Sequence, residues 1–167
     1  MKPTLTFILC LLCIMTTQAQ YSKNFKVKYK EKSLMLVVPT FTPRDTTKQV
    51  ARIELKQIVQ KQINKLFLQV FSPDDIQHLS SSAIAGTKAA LHLYMDYTGK
   101  IEYIIFFIPP QDTLVLDENR LTKFYHLIQK MKIDTSNAIY YIDSSVGKEA
   151  YTYLLTFRFY NRRVDKQ

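Results

Sequence analysis

The histidines are the side chains of this sequence best suited to binding a metal ion, and their placement argues against a metal site. His78, His92 and His126 are far apart in the chain. A zinc site needs several nitrogen, sulfur or carboxylate ligands close together, and none of the three histidines belongs to a cluster of such residues. His92 shares a predicted strand face with Asp96, but at a separation that keeps the two side chains out of contact. The sequence therefore predicts no metal site.

Two pairs of adjacent carboxylates could serve as a general acid and base, but both stand where helices are predicted to begin. Asp74-Asp75 and Asp117-Glu118 would each lie in a first helical turn, where the helix dipole favours negative charge. The serine run Ser80–Ser82 shows no arrangement of base and oxyanion hole that would activate a nucleophile. Three glycines are too few for the loops that wrap nucleotides. We therefore expect a protein that is not an enzyme, with no catalytic residue and no cofactor.

The first twenty residues have the pattern of a secretory signal peptide. Lys2 supplies a positive charge, Leu5–Met15 is apolar, and Thr17 and Ala19 are small residues placed for cleavage after Ala19 or Gln20. The apolar run is shorter than the roughly 20 residues that a membrane-spanning helix needs. Both cysteines lie inside this segment, so the rest of the chain has no disulfide. We expect export, to the periplasm or the extracellular space.

The positive charge of the chain is concentrated in its first third. Residues 21–72 hold eleven lysines and arginines against three acidic residues, a net charge of +8, whereas residues 73–167 hold eleven of each. A solvated, lysine-rich face is the default interpretation, and nucleic acid is a weak choice for a secreted chain. The alternative is contact with an anionic membrane surface through four cations of a predicted helix, namely Lys48, Arg52, Lys56 and Lys61.

The first part of the chain alternates between strand and helix patterns. Tyr21–Lys32 alternates apolar residues with lysine, as an edge strand or a disordered lead-in does, and Leu34–Val38 is a short apolar strand. From about Thr46 to Val70 the apolar residues recur at steps of three and four, which predicts an amphipathic helix. We interpret residues 21–45 as a basic lead-in with a short strand and residues 46–167 as a single domain.

The second part of the chain predicts a hairpin, a helix and closing strands. Leu91–Ile108 forms two strands around a turn at Gly99, and a helix capped by Asp117 follows. Ile139–Ile142 is a short strand candidate, and alternation from Tyr151 to Phe159 predicts the final strand. The fold class is α+β, a small antiparallel sheet with helices packed on one face.

Residues 91–160 resemble the C-terminal domain of TonB-family energy transducers. The matching features are the turn Asp96-Tyr97-Thr98-Gly99-Lys100-Ile101, the helix start Leu116-Asp117-Glu118, and a closing strand with Tyr153 followed by Phe157-Arg158-Phe159. The chain departs from the family by lacking a proline-rich spacer, and it has Met131–Asp134 where many members carry an aromatic-Pro-Pro element. The resemblance therefore implies the fold and leaves force transmission in doubt.

The resemblance implies that the protein binds a partner, such as an outer-membrane receptor or another envelope protein, by strand addition. By that analogy Ala150–Tyr160 is the expected open edge of the sheet. The expected partner-binding residues are Tyr151, Tyr153, Leu155, Phe157, Arg158 and Phe159. The alternatives are a small periplasmic inhibitor or immunity-type protein, which would block an enzyme by surface complementarity, and the membrane-surface binder described above.

Overall fold

The computed structural model describes residues 21, 23–31, 34–55, 58–81, 88–143 and 145–159. The predicted signal peptide, residues 1–20, lies outside the described residues. In the part of the chain that is described, no helix has the length and apolar character needed to cross a membrane.

The described residues form a mixed seven-stranded sheet at the centre of the fold, in the order β1-β2-β5-β4-β7-β3-β6. Strand β3 is parallel to β7, and every other pair of neighbours is antiparallel. The α+β prediction is confirmed, although the sheet is larger than expected and includes this parallel pair. The strands are β1 Phe25–Glu31, β2 Leu34–Pro39, β3 Gln49–Glu54, β4 Ala90–Met95, β5 Ile101–Ile108, β6 Ile139–Tyr141 and β7 Tyr151–Arg158.

The described chain also forms three α-helices, which contribute to one apolar core on one face of the sheet. They are α1 Ile58–Phe67, α2 Pro73–Ser81 and α3 Glu118–Gln129. On β4, the side chains of Leu91, Leu93 and Met95 alternate toward the helices and are fully buried. The helices meet them with buried residues that include Ile63 and Phe124. Large apolar side chains at alternate strand positions thus fix which face the helices cover.

Local signals correctly predicted several boundaries. Gly99 adopts a positive φ of 84° in the turn between β4 and β5. The Asp117 side chain accepts from the backbone N–H groups of Asn119 and Arg120 and caps α3. Ser72 and Asp75 exchange backbone and side-chain hydrogen bonds at the start of α2, as a capping box does.

The helix predicted to begin near Thr46 begins instead at Ile58, and this prediction was wrong over its first half. Residues 49–54 form β3, in which Ala51 and Ile53 are buried and Gln49, Val50, Arg52 and Glu54 are exposed. The strand is stabilised by pairing with β7, about a hundred residues away in the chain. A distant strand partner therefore overrides the local helical spacing.

The prediction that the last strand is an open edge was also wrong. Strand β7 pairs with β4 on one side, through six residue pairs, and with β3 on the other, through four. Its core-facing side chains include Tyr153, which is fully buried. Among the strands of the described residues, the two at the edges of the sheet are β1 and β6.

Candidate functional site

The two edges of the sheet carry very different side chains. Strand β1, the first edge, places Lys26 and Lys28 on one face, and both are exposed. Charged residues on an edge strand oppose pairing with another chain. Strand β6, the other edge, instead places Ile139 and Tyr141 on its exposed face. An apolar edge of this kind is open to a further strand.

Strand β6 is held to the sheet by its central residue and presents the two flanking ones to solvent. Tyr140 packs edge-on against the buried Tyr153 at a ring-centroid distance of 4.9 Å. Ile139 and Tyr141 are 58% and 51% exposed. Because side chains alternate along a strand, these two point to the face opposite Tyr140. We call the exposed face at this edge, formed by Val50, Arg52, Glu54, Ile139 and Tyr141, the edge surface.

The edge surface is organised by a small polar network between β3 and β6. Arg52 lies opposite Tyr141 and Glu54 opposite Ile139. The Tyr141 hydroxyl donates to Glu54 Oε2 at 3.0 Å, and Arg52 Nη2 donates to Glu54 Oε1 at 3.1 Å. The hydrogen bond to Glu54 raises the pKa of the Tyr141 phenol, because the carboxylate stabilises the protonated form.

A groove of about 540 Å³ lies beside the edge surface, between β3 and β7. The pairing of these two parallel strands ends at Arg52 and Leu154. Beyond that pair the groove is bordered by Ile53–Leu55 on one side and Leu155–Phe157 on the other. Its volume falls within the range of small-ligand and side-chain pockets, and Arg52 and Glu54 belong to both the groove and the edge surface.

The six residues predicted to bind a partner do not form a common surface. Four of them, Tyr151, Tyr153, Leu155 and Phe159, are buried in the core, and Phe157 packs partly against it. Arg158 is exposed. The aromatic residues cluster near the end of the chain because β7 lies at the centre of the sheet, where the helices cover one of its faces. Because both backbone edges of β7 are paired within the sheet, no strand can be added directly beside it.

The four cations proposed for membrane contact do not share one helix face. Lys48 pairs with Glu102 at 3.2 Å just before β3, and Arg52 lies on β3 in the network with Glu54. Lys61 lies in α1, and Lys56 lies outside the described residues. The continuous helical stripe on which the membrane hypothesis depended is therefore absent, because a strand occupies its first half.

The described residues contain no group of three or more histidine, cysteine, aspartate or glutamate side chains that could hold a metal ion. The carboxylates at helix starts have structural partners. Asp75 accepts from Ser72 and Arg120, and these hydrogen bonds lower the pKa of its carboxyl group against the opposing effect of desolvation. His92 lies on β4 with its ring 4.3 Å from that of Phe107. These contacts stabilise the fold.

The residues of the edge surface were missed because their exposure depends on strand order. The alternation of Ile139 and Tyr141 around Tyr140 was a usable signal, and it supported the prediction of a short strand at 139–142. Alternation alone does not say whether a strand has one neighbour or two. Only the pairing of β3 with both β7 and β6 places this strand last in the sheet.

Comparison with known proteins gives a structural likeness and no match of sequence. No protein-family model matches the sequence, and no curated protein matches it. A solved structure of a DUF5043 family protein from Bacteroides uniformis ATCC 8492, determined at 1.85 Å, is similar to the chain with a TM-score of 0.48. The likeness covers 83% of this chain and 85% of that one at 12% sequence identity.

Proposed function

We propose that this chain is a non-catalytic protein-binding domain that accepts an extended segment of a partner protein as an eighth strand beside β6. The observation that supports it most is the edge surface, where Ile139 and Tyr141 are more than half exposed on the last strand of the sheet. An extended segment is the occupant that suits this site, because a sheet edge offers backbone hydrogen bonds in a fixed register.

The side chains around β6 define what the added strand should carry. Ile139, Tyr141 and Val50 offer apolar contact on one face, so the partner needs apolar side chains at alternate positions on that face. The Arg52–Glu54 ion pair is close to electrically neutral as a unit, which favours an uncharged segment there. The groove between β3 and β7 extends this face and could take one larger apolar side chain.

The setting of this function is part of the proposal. A secretory signal at residues 1–20 would deliver the domain to the periplasm or the extracellular space. The chain order of β4, β5, α3 and β7 is similar to the strand-strand-helix-strand order of the TonB C-terminal domain that the sequence resembles, with the short strand β6 inserted before β7. That resemblance supports strand addition as the mode of binding and an envelope protein as the partner. The sequence predicted β7 as the binding edge, whereas the present proposal places the added strand beside β6.

Photo-crosslinking from chosen positions tests this proposal. A photoreactive amino acid would be placed at Ile139 in the exported protein, and crosslinked species would be compared with those from a matched probe at Leu114. Leu114 is 82% exposed and lies before α3, outside the edge surface. We expect a discrete protein adduct from position 139 that is absent from position 114. The Tyr141→Lys substitution should abolish it, because a charge at an edge strand opposes pairing.

Two outcomes would overturn the proposal. One is the same set of adducts from positions 139 and 114. The other is an adduct from position 139 that persists undiminished in the Tyr141→Lys protein. Because Tyr141 also bonds Glu54 on β3, thermal unfolding of each variant is measured to show whether loss of an adduct reflects loss of the fold.

A further inference from the structure

A second pocket, of about 290 Å³, lies beside the turn between β4 and β5 and shares no residue with the edge surface. It is lined by residues of the segment between β2 and β3, of β5 and β7, and of the end of α3. These residues are Pro43, Arg44, Asp45, Lys100, Ile101, Glu102, Gln129 and Thr152. Arg44, in the segment between β2 and β3, places its guanidinium over the Tyr94 ring of β4.

Arg44 is the unusual member of this pocket. Its guanidinium carbon lies 4.5 Å from the centre of the Tyr94 ring. Its Nε is buried and has no hydrogen-bond acceptor, and no hydrogen bond or ion pair recorded among the described residues uses this side chain. A buried donor without an acceptor is costly and rare in a native structure. The guanidinium thus contacts the Tyr94 ring, and its N–H donors are available to a ligand.

The carboxylates of the pocket are already occupied. Glu102 accepts from Lys48 Nζ at 3.2 Å and from the Thr152 hydroxyl at 3.4 Å. Asp45 accepts from both the backbone N–H and the hydroxyl of Thr47, which lowers the pKa of its carboxyl group.

The balance of charge in the pocket is therefore positive. The second cation of the lining, Lys100, takes part in none of the ion pairs found among the described residues. With Lys48 neutralising Glu102, the two cations Arg44 and Lys100 face a single carboxylate, that of Asp45.

We propose that this pocket binds a small oxyanion, a carboxylate or phosphate group, through the Arg44 guanidinium and with the support of Lys100. A guanidinium presents a rigid fork of N–H donors that matches the paired oxygens of either group. The modest volume, at the lower end of the range for ligand pockets, suits a small molecule. Gln129 supplies an amide at the rim that can donate to a further oxygen. This site is independent of the edge surface and of strand addition.

Titration of the full exported chain, in a chloride buffer of low ionic strength, tests the site with two probes. Inorganic phosphate and succinate are added separately while the Nε–Hε resonances of the arginines are followed by NMR. We expect the Arg44 resonance to shift and saturate with at least one probe, with a Kd of about 1 mM or tighter. The probe that binds more tightly decides between a phosphate and a carboxylate ligand.

The variants separate a specific site from general attraction to a basic protein. Lys100→Gln should weaken binding by about tenfold, and because Lys100 is exposed this change leaves the fold intact. Arg44→Gln should abolish saturable binding, which is followed in this variant through the backbone amide of Lys100 because the Arg44 resonance is lost. Arg52→Gln, which removes a cation from the edge surface, should leave the affinity for phosphate and for succinate unchanged. The proposal is overturned if neither probe gives a saturable shift, or if Arg52→Gln weakens binding as much as Lys100→Gln.

Discussion

The Tyr141 hydroxyl donates a hydrogen bond to Glu54 across the outermost strand pair of the sheet, at 3.0 Å. This bond joins the edge strand β6 to β3, and β3 in turn joins it to the buried β7. The same tyrosine presents half of its surface to solvent. One residue thus anchors the edge and offers apolar surface for an added strand.

The first prediction concerns the ionisation of Tyr141. Its phenol should titrate above the ordinary value near pKa 10, because the hydrogen bond to Glu54 stabilises the protonated form. Glu54→Gln removes the carboxylate charge and should return the pKa toward that value. The titration can be followed by NMR of the tyrosine ring carbons. An unchanged Tyr141 pKa in the Glu54→Gln protein would show that this hydrogen bond does not cause the shift.

The second prediction tests the structural role assigned to β7. Leu155 is buried on the helical side of this central strand, so Leu155→Ala should lower the free energy of unfolding by about 3 kcal/mol through the cavity it leaves. Leu114→Ala, at an exposed site, should change it by less than about 0.5 kcal/mol. Urea unfolding measures both. A neutral Leu155→Ala would mean that β7 is not part of the core.

The third prediction concerns the hairpin turn. At Gly99, φ is +84°, and an added Cβ would lie 1.9 Å from the carbonyl oxygen of Ile133. Gly99→Ala should therefore destabilise the protein by about 3 kcal/mol. Gly147→Ala is the matched control, because Gly147 has an ordinary φ of −62° and its added Cβ would meet only the mobile end of the Glu149 side chain. Thermal or urea unfolding should separate the two variants clearly.

The fourth prediction is a loss of stability in alkali. Burial raises the pKa of the Tyr153 phenol to about 12, and burial also raises the pKa of Tyr21, whose hydroxyl donates to the Leu116 carbonyl. In the unfolded chain both ionise near pH 10. The two tyrosines therefore contribute fully to the free energy of unfolding below about pH 10. This contribution is lost as the pH rises toward their pKa values in the folded protein, because the unfolded state releases the protons first.

Urea midpoints measured at successive pH values test this fourth prediction. The wild-type midpoint should fall above about pH 10, and the fall should be shallower in Tyr153→Phe. An equally steep fall in that variant would show that Tyr153 does not carry the effect.

The features that were predicted correctly from sequence depend on nearby residues. Asp117 caps the helix that follows it, and Gly99 closes a hairpin between two strands only a few residues apart. Both act through contacts within a few positions of the chain, so the residue type alone indicates the geometry. The alternating lysines of β1 likewise gave the correct expectation of an edge strand, one of the two alternatives considered for that segment.

The features that were predicted incorrectly depend on distant pairing. Residues 49–54 lie within a helical pattern, yet they form a strand because β7 pairs with them in parallel. The same pairing places β7 between two neighbours and leaves β6 at the edge of the sheet. The expected binding edge therefore changes from β7 to β6. Local propensity could not have predicted this, because strand order is decided by which distant strands pair.

Strand addition at β6 can be measured by hydrogen exchange of the β6 backbone amides in complex with the crosslinked partner. Strand addition predicts that exchange within Ile139–Tyr141 slows by at least about tenfold on binding, because amides that face solvent at the edge acquire hydrogen-bond acceptors. Exchange at the lysine-bearing edge strand β1 should not change. Slowed exchange at β1 or elsewhere, with β6 exchanging as in the free protein, would show that the partner does not bind as a strand beside β6.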